Sequence, residues 1–280
     1  MRYAFLLLAA AAIATPALAQ NAGADERTNT GPFTDSIIIG VGAASVPRYE
    51  GSSDNTIIPA AAAHGTIGGY GFTIAGTTLS TDIIPYRNAT GGKFVLGPVA
   101  HLTLNRNSGK RTRDAQIRAL GNIDAAVEVG GQVGFTQTGV ITSDYDVFSA
   151  TVSAVYDVTG THDSVIVTPS ISYGTPLSKQ IFVGVNAAAD YVGGKYARTY
   201  FGVTPAQSIT SGLRPYSPGD GFKDISATAL VNVSLAGDLR KGLSLFGVAS
   251  YERLLGDFGR SPVTQDRTQM IYAAGLAYTF

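Results

Sequence analysis

Apolar and polar positions alternate with period two along most of this chain. From Ile123 to Phe135 the odd positions are Ile123, Ala125, Val127, Val129, Gly131, Val133 and Phe135, against Asp124, Glu128 and Gln132. Four further runs repeat the pattern: Phe148/Ala150/Val152/Ala154/Tyr156, Val165/Val167/Pro169/Ile171/Tyr173, Ile181/Val183/Val185/Ala187/Ala189/Tyr191 and Ile225/Ala227/Ala229/Val231/Val233/Leu235. Ser, Thr, Asn, Gly and a few acids such as Asp190 and Asp224 fill the opposite faces. Successive side chains of a strand point to opposite faces, so each run predicts a two-faced strand. Each is about 10 to 13 residues long, the length a tilted strand needs to cross a bilayer. Strands of soluble domains are about half as long.

The last eleven residues carry the pattern to the end of the sequence. Met270, Tyr272, Ala274, Leu276, Tyr278 and Phe280 share one face, and Ile271, Ala273, Gly275, Ala277 and Thr279 share the other. Tyr278 and Phe280 on a terminal strand are the expected assembly signal of an outer-membrane barrel. Tyr156, Tyr173, Tyr191, Tyr251 and Tyr278 lie near strand ends on the bulky faces, where an aromatic girdle belongs.

The first third is less regular. Ile37/Ile39/Val41/Ala43 and Phe94/Leu96/Ala100/Leu102/Leu104 read as strands, with Thr56 to His64 and Phe72 to Ile84 as irregular ones. The phase slips near Gly76-Thr77, which suggests a bulge. With the stretch that carries Tyr251, between Gly237-Asp238 and the segment 254–268, eleven strands can be counted. A single-chain bacterial barrel closes with an even number, so twelve are expected, with ten as the alternative. Counting back from the C-terminus puts the long segments 105–122, 193–221 and 254–268 outside the cell. It puts the short connections near Gln137-Thr138-Gly139, Gly174-Thr175-Pro176 and Gly237-Asp238 in the periplasm.

The front end agrees with export. Arg2 is followed by an apolar run from Ala4 to Ala14 and by Ala17-Leu18-Ala19, which predicts a signal peptide over 1–19 cut before Gln20. A short periplasmic segment over 20–34 and a barrel over 35–280 follow. With Cys 0 there is no lipid-anchored cysteine, disulfide, thiolate metal site or thiol nucleophile. No later apolar run is long enough for a membrane helix. Charged residues make up 14% of the chain, against about 25% in soluble domains. Twenty basic residues balance 20 acidic ones, so no field favours nucleic acid.

Candidate chemistry is sparse. His101 is expected on a lumen face. His162-Asp163-Ser164 sets a His two residues before a Ser, a pairing some outer-membrane lipid deacylases use. Here it falls in a turn, with no other feature of such enzymes. Asp124, Glu128, Asp190, Asp224 and Glu252 are expected to point into a wet lumen. Arg106, Lys110, Arg111, Arg113 and Arg118 cluster in one outside segment, as solvated charges or as contacts for lipopolysaccharide phosphates. No catalytic, cofactor or metal residue is assigned, and the chain reads as a non-enzyme.

Segment 193–221 holds Tyr196, Tyr200, Phe201 and Tyr216 with Pro205, Pro215 and Pro218. So many aromatics are costly in open water, so Tyr200-Phe201 are expected to tuck against the barrel mouth or into the lumen.

Several segments in order resemble the MipA/OmpV family, which takes its name from a protein that interacts with the lytic transglycosylase MltA. They are Pro47-Arg-Tyr49-Glu-Gly51-Ser52, Leu120-Gly-Asn-Ile-Asp124-Ala-Ala-Val-Glu128-Val-Gly130, Tyr200-Phe201-Gly202-Val-Thr-Pro-Ala-Gln-Ser208, Tyr216-Ser-Pro-Gly219, Gly221-Phe-Lys-Asp224, Tyr251-Glu-Arg253-Leu254-Leu-Gly256-Asp257 and Ser261-Pro262-Val263. The resemblance implies an outer-membrane barrel that scaffolds murein synthesis, bringing a murein transglycosylase near a synthase. The alternative is a small passive pore or solute-binding barrel in outer-membrane lipid and lipopolysaccharide.

Overall fold

The computed structural model describes residues 36–85, 91–107 and 112–280. The expected signal peptide over 1–19, the segment over 20–34, and Lys110 and Arg111 of the basic cluster lie outside these residues.

Twelve strands form one closed antiparallel barrel. They are β1 Ser36–Pro47, β2 Asn55–Ile67, β3 Tyr70–Ala75, β4 Thr78–Asp82, β5 Gly91–Thr103, β6 Ala126–Thr138, β7 Val147–Asp157, β8 Val165–Pro176, β9 Ile181–Val192, β10 Gly221–Ser234, β11 Gly242–Leu254 and β12 Thr268–Thr279. Each pairs with the next, and β12 closes on β1 from Ile38↔Thr279 to Ser45↔Tyr272. Phe280 adds one more bond to that seam, its N–H donating to the Ile37 carbonyl at 3.0 Å, and its ring lies 4.8 Å from the Tyr278 ring. Around the barrel the paired residues drift by about 14 positions, the kind of stagger that strands tilted by roughly 40° require.

The twelfth strand lies where a bulge was expected. Gly76-Thr77 is a two-residue turn: Gly76 takes a φ of 64°, and Ala75 pairs directly with Thr78. The phase slip is therefore a hairpin. β3 and β4 have only 6 and 5 residues, whereas the other strands have 11 to 14.

The alternation sorts as expected. Val41, Leu96, Val133, Val152, Ile171, Val185 and Leu276 stand outward and exposed. A closed barrel with an apolar outer face pairs its strands internally, which is how strands cross a membrane; here Asn55–Ala61 of β2 are the exception, paired to β1 and to no other described strand. One end, the loop end, carries segments 48–54, 104–107, 112–125, 158–164, 193–220 and 255–267. The other, the turn end, carries 68–69, 139–146, 177–180 and 235–241, together with Ser36 and Phe280. Four short helices lie in the loop-end segments: α1 Ala115–Ala119, α2 Gly194–Phe201, α3 Pro205–Ser211 and α4 Gly256–Arg260. None of the described helices is long and apolar enough to cross a membrane.

Inside, hydroxyl pairs bridge neighbouring strands: Thr136 with Ser149, Thr151 with Ser170 and Thr228 with Ser250, each at 2.8 Å. The lumen is not polar throughout. Near the turn end Phe182, Leu230 and Val248 point inward and pack with Leu239, which the 235–241 turn folds inward.

Candidate functional site

The loop end is stoppered by its own chain. The α2 helix enters the mouth and buries Tyr196, Ala197, Tyr200 and Phe201 against Val99, Val155, Ile166, Val192 and Leu254 from five different strands. Phe258 of α4 meets Phe201 edge to face, with ring centres 5.2 Å apart. The mouth thus has a packed core of its own, as the clustered aromatics of this segment required.

The last turn of α2 is held through its carbonyls, which a helix terminus leaves without intrahelical partners. Arg106 Nη1 donates to the Tyr200 carbonyl at 3.1 Å, and Ser261 Oγ donates to the Phe201 carbonyl at 2.6 Å. Gly202 is the cap that follows the helix, in extended backbone, and a Cβ there would stand 2.3 Å from the Arg198 carbonyl oxygen. The helix then turns into the Val203↔Tyr216 bridge, and Tyr216 donates its hydroxyl to the Asp257 carbonyl at 2.9 Å.

An ionic cluster lies beneath α2. Lys223 is buried, and its ammonium meets Glu50 Oε1 at 2.8 Å, Asp224 Oδ2 at 3.1 Å and Asp190 Oδ2 at 3.3 Å. A bulge makes this possible. The β9–β10 register shifts between Phe222 and Asp224, so the consecutive Lys223 and Asp224 are both buried inside. Tyr196 caps the cluster. Its hydroxyl donates to Glu50 Oε2 at 3.1 Å, and its ring centre is 5.7 Å from Nζ of Lys223. Burial first, and the Glu50 carboxylate second, push the Tyr196 phenol well above its ordinary range, so it remains a donor. Asn105 closes the other side with a reciprocal pair to Glu50, at 3.2 and 3.0 Å. Thr168 donates to Asp190 Oδ1 at 2.7 Å, and Glu252 keeps one buried carboxylate oxygen without a hydrogen-bond partner.

A second ionic group adjoins it. Glu128 is fully buried, 3.0 Å from His162 Nε2 and 3.7 Å from His101 Nδ1. The His162 ring packs against Tyr196 and Tyr200. The β7–β8 turn therefore grips α2 from below, and outside the barrel Lys195 of α2 bonds Asp163 of the same turn. His162 is committed to a carboxylate in a sealed position and is not a base for Ser164. Among the described residues no group of three or more His, Cys, Asp or Glu is placed to hold a metal ion.

The motif segments converge on this mouth, though not all their residues do. Tyr49 is buried with Ile117, Leu120, Val203 and Val263 in the layer that covers the stopper. The Gly51 carbonyl accepts from the Gln265 and Asp266 N–H groups at 2.7 and 3.0 Å. Glu128, Tyr200, Phe201, Leu254 and Ser261 line or clamp the stopper. Gly256 and Asp257 open α4, and Pro262 follows Ser261 in the same segment. Tyr251 and Arg253 stand exposed, and Tyr251 lies on the outward face.

Two expectations are corrected. Asp124 lies exposed in the segment before β6, which begins at Ala126 and not at Ile123. Arg106 is buried and spends its guanidinium on the Tyr200 carbonyl, so it is no lipopolysaccharide contact; Arg113 and Arg118 do stay exposed. Sequence reasoning named Tyr196 among the aromatics of segment 193–221 but gave Glu50 and Lys223 no role beyond their place in two motif segments. The opposite charges within Pro47–Ser52 and Gly221–Asp224 were the available signal.

Comparison with known proteins gives one family. Residues 39–280 match the model of the family described as MltA-interacting protein MipA, and the chain belongs to that family. No curated protein matches the sequence. Among solved structures, the KdgM porin is similar at 9% identity and a TM-score of 0.37, covering 88% of this chain and 99% of that one. An anion-selective porin from Comamonas acidovorans is similar at 10% identity and a TM-score of 0.37, with coverage of 88% and 99%. The CymD monoaromatic hydrocarbon channel is similar at 8% identity and a TM-score of 0.40, with 89% of each chain covered.

Proposed function

We propose, with membership of this family as the premise, that the protein is a non-enzymatic outer-membrane barrel serving as a fixed anchor at the cell envelope. Its turn end faces the periplasm and holds a murein transglycosylase, and through it a synthase. The observation that carries this reading is the stopper. A channel needs an open mouth, and here Tyr196, Tyr200 and Phe201 fill it with a packed core over a buried ion cluster. The family description supports the partner, since it names interaction with MltA. The turn end supports the place of contact: Leu177, Lys179, Leu235, Arg240 and Lys241 are exposed on two adjoining turns. A stable partner surface needs about 800 Å² on each side, so several turns and the segment over 20–34 must contribute together. The sealed His162–Glu128 pair supports the absence of hydrolase chemistry. At the loop end, exposed Arg113 and Arg118 suit lipopolysaccharide phosphates.

A photo-crosslinking residue at Leu177 in growing cells should give adducts with a murein transglycosylase. The same residue at Arg214, at the loop end, should give none. No adduct from Leu177, Lys179 or Leu235 would remove the scaffold.

The hydroxyl-lined lumen favours one second reading, a passive pore that opens when α2 withdraws. A conductance recording decides between the two.

A further inference from the structure

The β3–β4 hairpin reaches only part of the way up the barrel wall. Its tip pairs Ala75 with Ala62 of β2, leaving Asn55–Ala61 paired to β1 and to no other described strand. On the far side β5 continues past the tip, where the Leu102 N–H donates to the Thr77 carbonyl at 3.0 Å. Across the top, Glu50 and Asn105 are joined by their reciprocal hydrogen bonds. The result is a framed opening between β2 and the Leu102–Asn105 stretch. With two strands missing, the flanking backbones stand up to about 14 Å apart at the level of the tip.

The edge that borders this opening is defined by the ladder. The Phe280 N–H to Ile37 carbonyl bond points the odd residues of β1 toward β12, so the even ones bond β2. On β2, Ile58 and Ala60 therefore bond β1, and Asn55, Ile57, Pro59 and Ala61 turn their backbone groups to the opening. Pro59 has no N–H to offer there. Proline on an open edge blunts pairing with another strand, so the vacancy is not built for a partner's strand. Unpaired backbone is not tolerated against hydrocarbon and survives only where it lines a cavity. An edge of this kind fits a cavity that joins the outer face to the lumen.

Its surroundings indicate what passes. The outward rim is Ile57, Pro59 and Ala61, all apolar, and Ala60, Ala61, Ala62 and Ala63 leave room. Just inside, beside the hairpin tip, the His101 side chain is 30% exposed, although its neighbour Glu128 is fully buried. We propose that this window is a lateral portal between the lipid and the lumen for a single-chain amphiphile, whose apolar tail enters over Ala60 and whose polar head rests near His101. The inference is independent of the scaffold reading, because it concerns the wall and not the turns.

The test is photolabelling of the full-length barrel in vesicles with two probes, a fatty acid carrying a diazirine on its chain and a phosphatidylcholine carrying the same group. The fatty acid should label the part-exposed inward residues Ala60 and Ala62, and the phospholipid should label only outward residues such as Val41 and Ile57. Ala60→Phe should abolish inward labelling and leave outward labelling intact; if that variant does not fold, Ala62→Leu serves the same purpose. Fatty-acid adducts confined to outward residues would overturn the portal. Equal inward labelling by both probes would overturn the assignment to single-chain ligands.

Discussion

Lys223 donates to Glu50 at 2.8 Å across 173 residues of sequence, tying the bulge of β10 to the loop between β1 and β2. This bond, with Asp190 and Asp224 on the same ammonium, sets one cation among three carboxylates under the stopper. Removing the cation leaves buried like charges. Lys223→Met should therefore cost roughly 3–5 kcal/mol of refolding free energy. Glu50→Gln keeps the cation with two carboxylates and should cost clearly less. Urea refolding into detergent measures both, and equal losses would mean that the carboxylates left without Lys223 carry no extra penalty.

The stopper should loosen without the barrel unfolding. Arg106→Ala frees the Tyr200 carbonyl, and Gly202→Ala forces a Cβ into the Arg198 carbonyl oxygen. Either change should raise hydrogen exchange across α2, with β6 to β9 unchanged. Uniform loss of protection in all strands would show that α2 and the wall form one cooperative unit.

The two faces of β8 should respond differently to charge. Ile171 stands outward at the middle of the strand, so Ile171→Arg should cost about 2–4 kcal/mol. Val167 also faces outward but lies two residues from the strand's start, where the cost falls to about 0–1 kcal/mol. Ser172→Arg points into the lumen and should be mild. Matching costs for Ile171→Arg and Ser172→Arg in refolding titrations would mean that the faces are misassigned.

Asp146 gives the turn end an acid-sensitive joint. Burial works against its charge. The Tyr173 hydroxyl and the N–H groups of Thr142, Val140 and Ile141 outweigh that and hold it well below the usual carboxylate range. A folded-state value below the unfolded one adds stability that is fully present above about pH 4–5 and is lost as pH falls through the folded value. Asp146→Asn should lower stability at pH 7 and flatten the acid limb of the stability curve. An acid limb identical to that of the unaltered protein would exclude this role.

The fold was legible wherever alternation ran unbroken, as in β6 to β10 and β12, because lipid and lumen impose opposite demands on neighbouring side chains. Alternation failed at the β3–β4 hairpin, where strands of 6 and 5 residues around a two-residue turn look like one bulged strand. It failed again at Lys223-Asp224, since a pattern of period two assigns neighbours to opposite faces and only the bulge brings both inside. Arg106 read as solvated because its local sequence is basic, and its partner, the Tyr200 carbonyl, is 94 residues away. The aromatic content of segment 193–221 did reveal the stopper, through the cost of exposing so much apolar area. Nothing local indicated that Glu50 would meet it.

The most direct test of the closed mouth is a planar-bilayer recording of the refolded barrel with and without residues 197–219. With α2 in place the barrel should be electrically silent, and the deletion, still heat-modifiable, should open a steady conductance through the hydroxyl-lined lumen. An equal, measurable conductance from the two forms would contradict the stopper and make the protein an open pore.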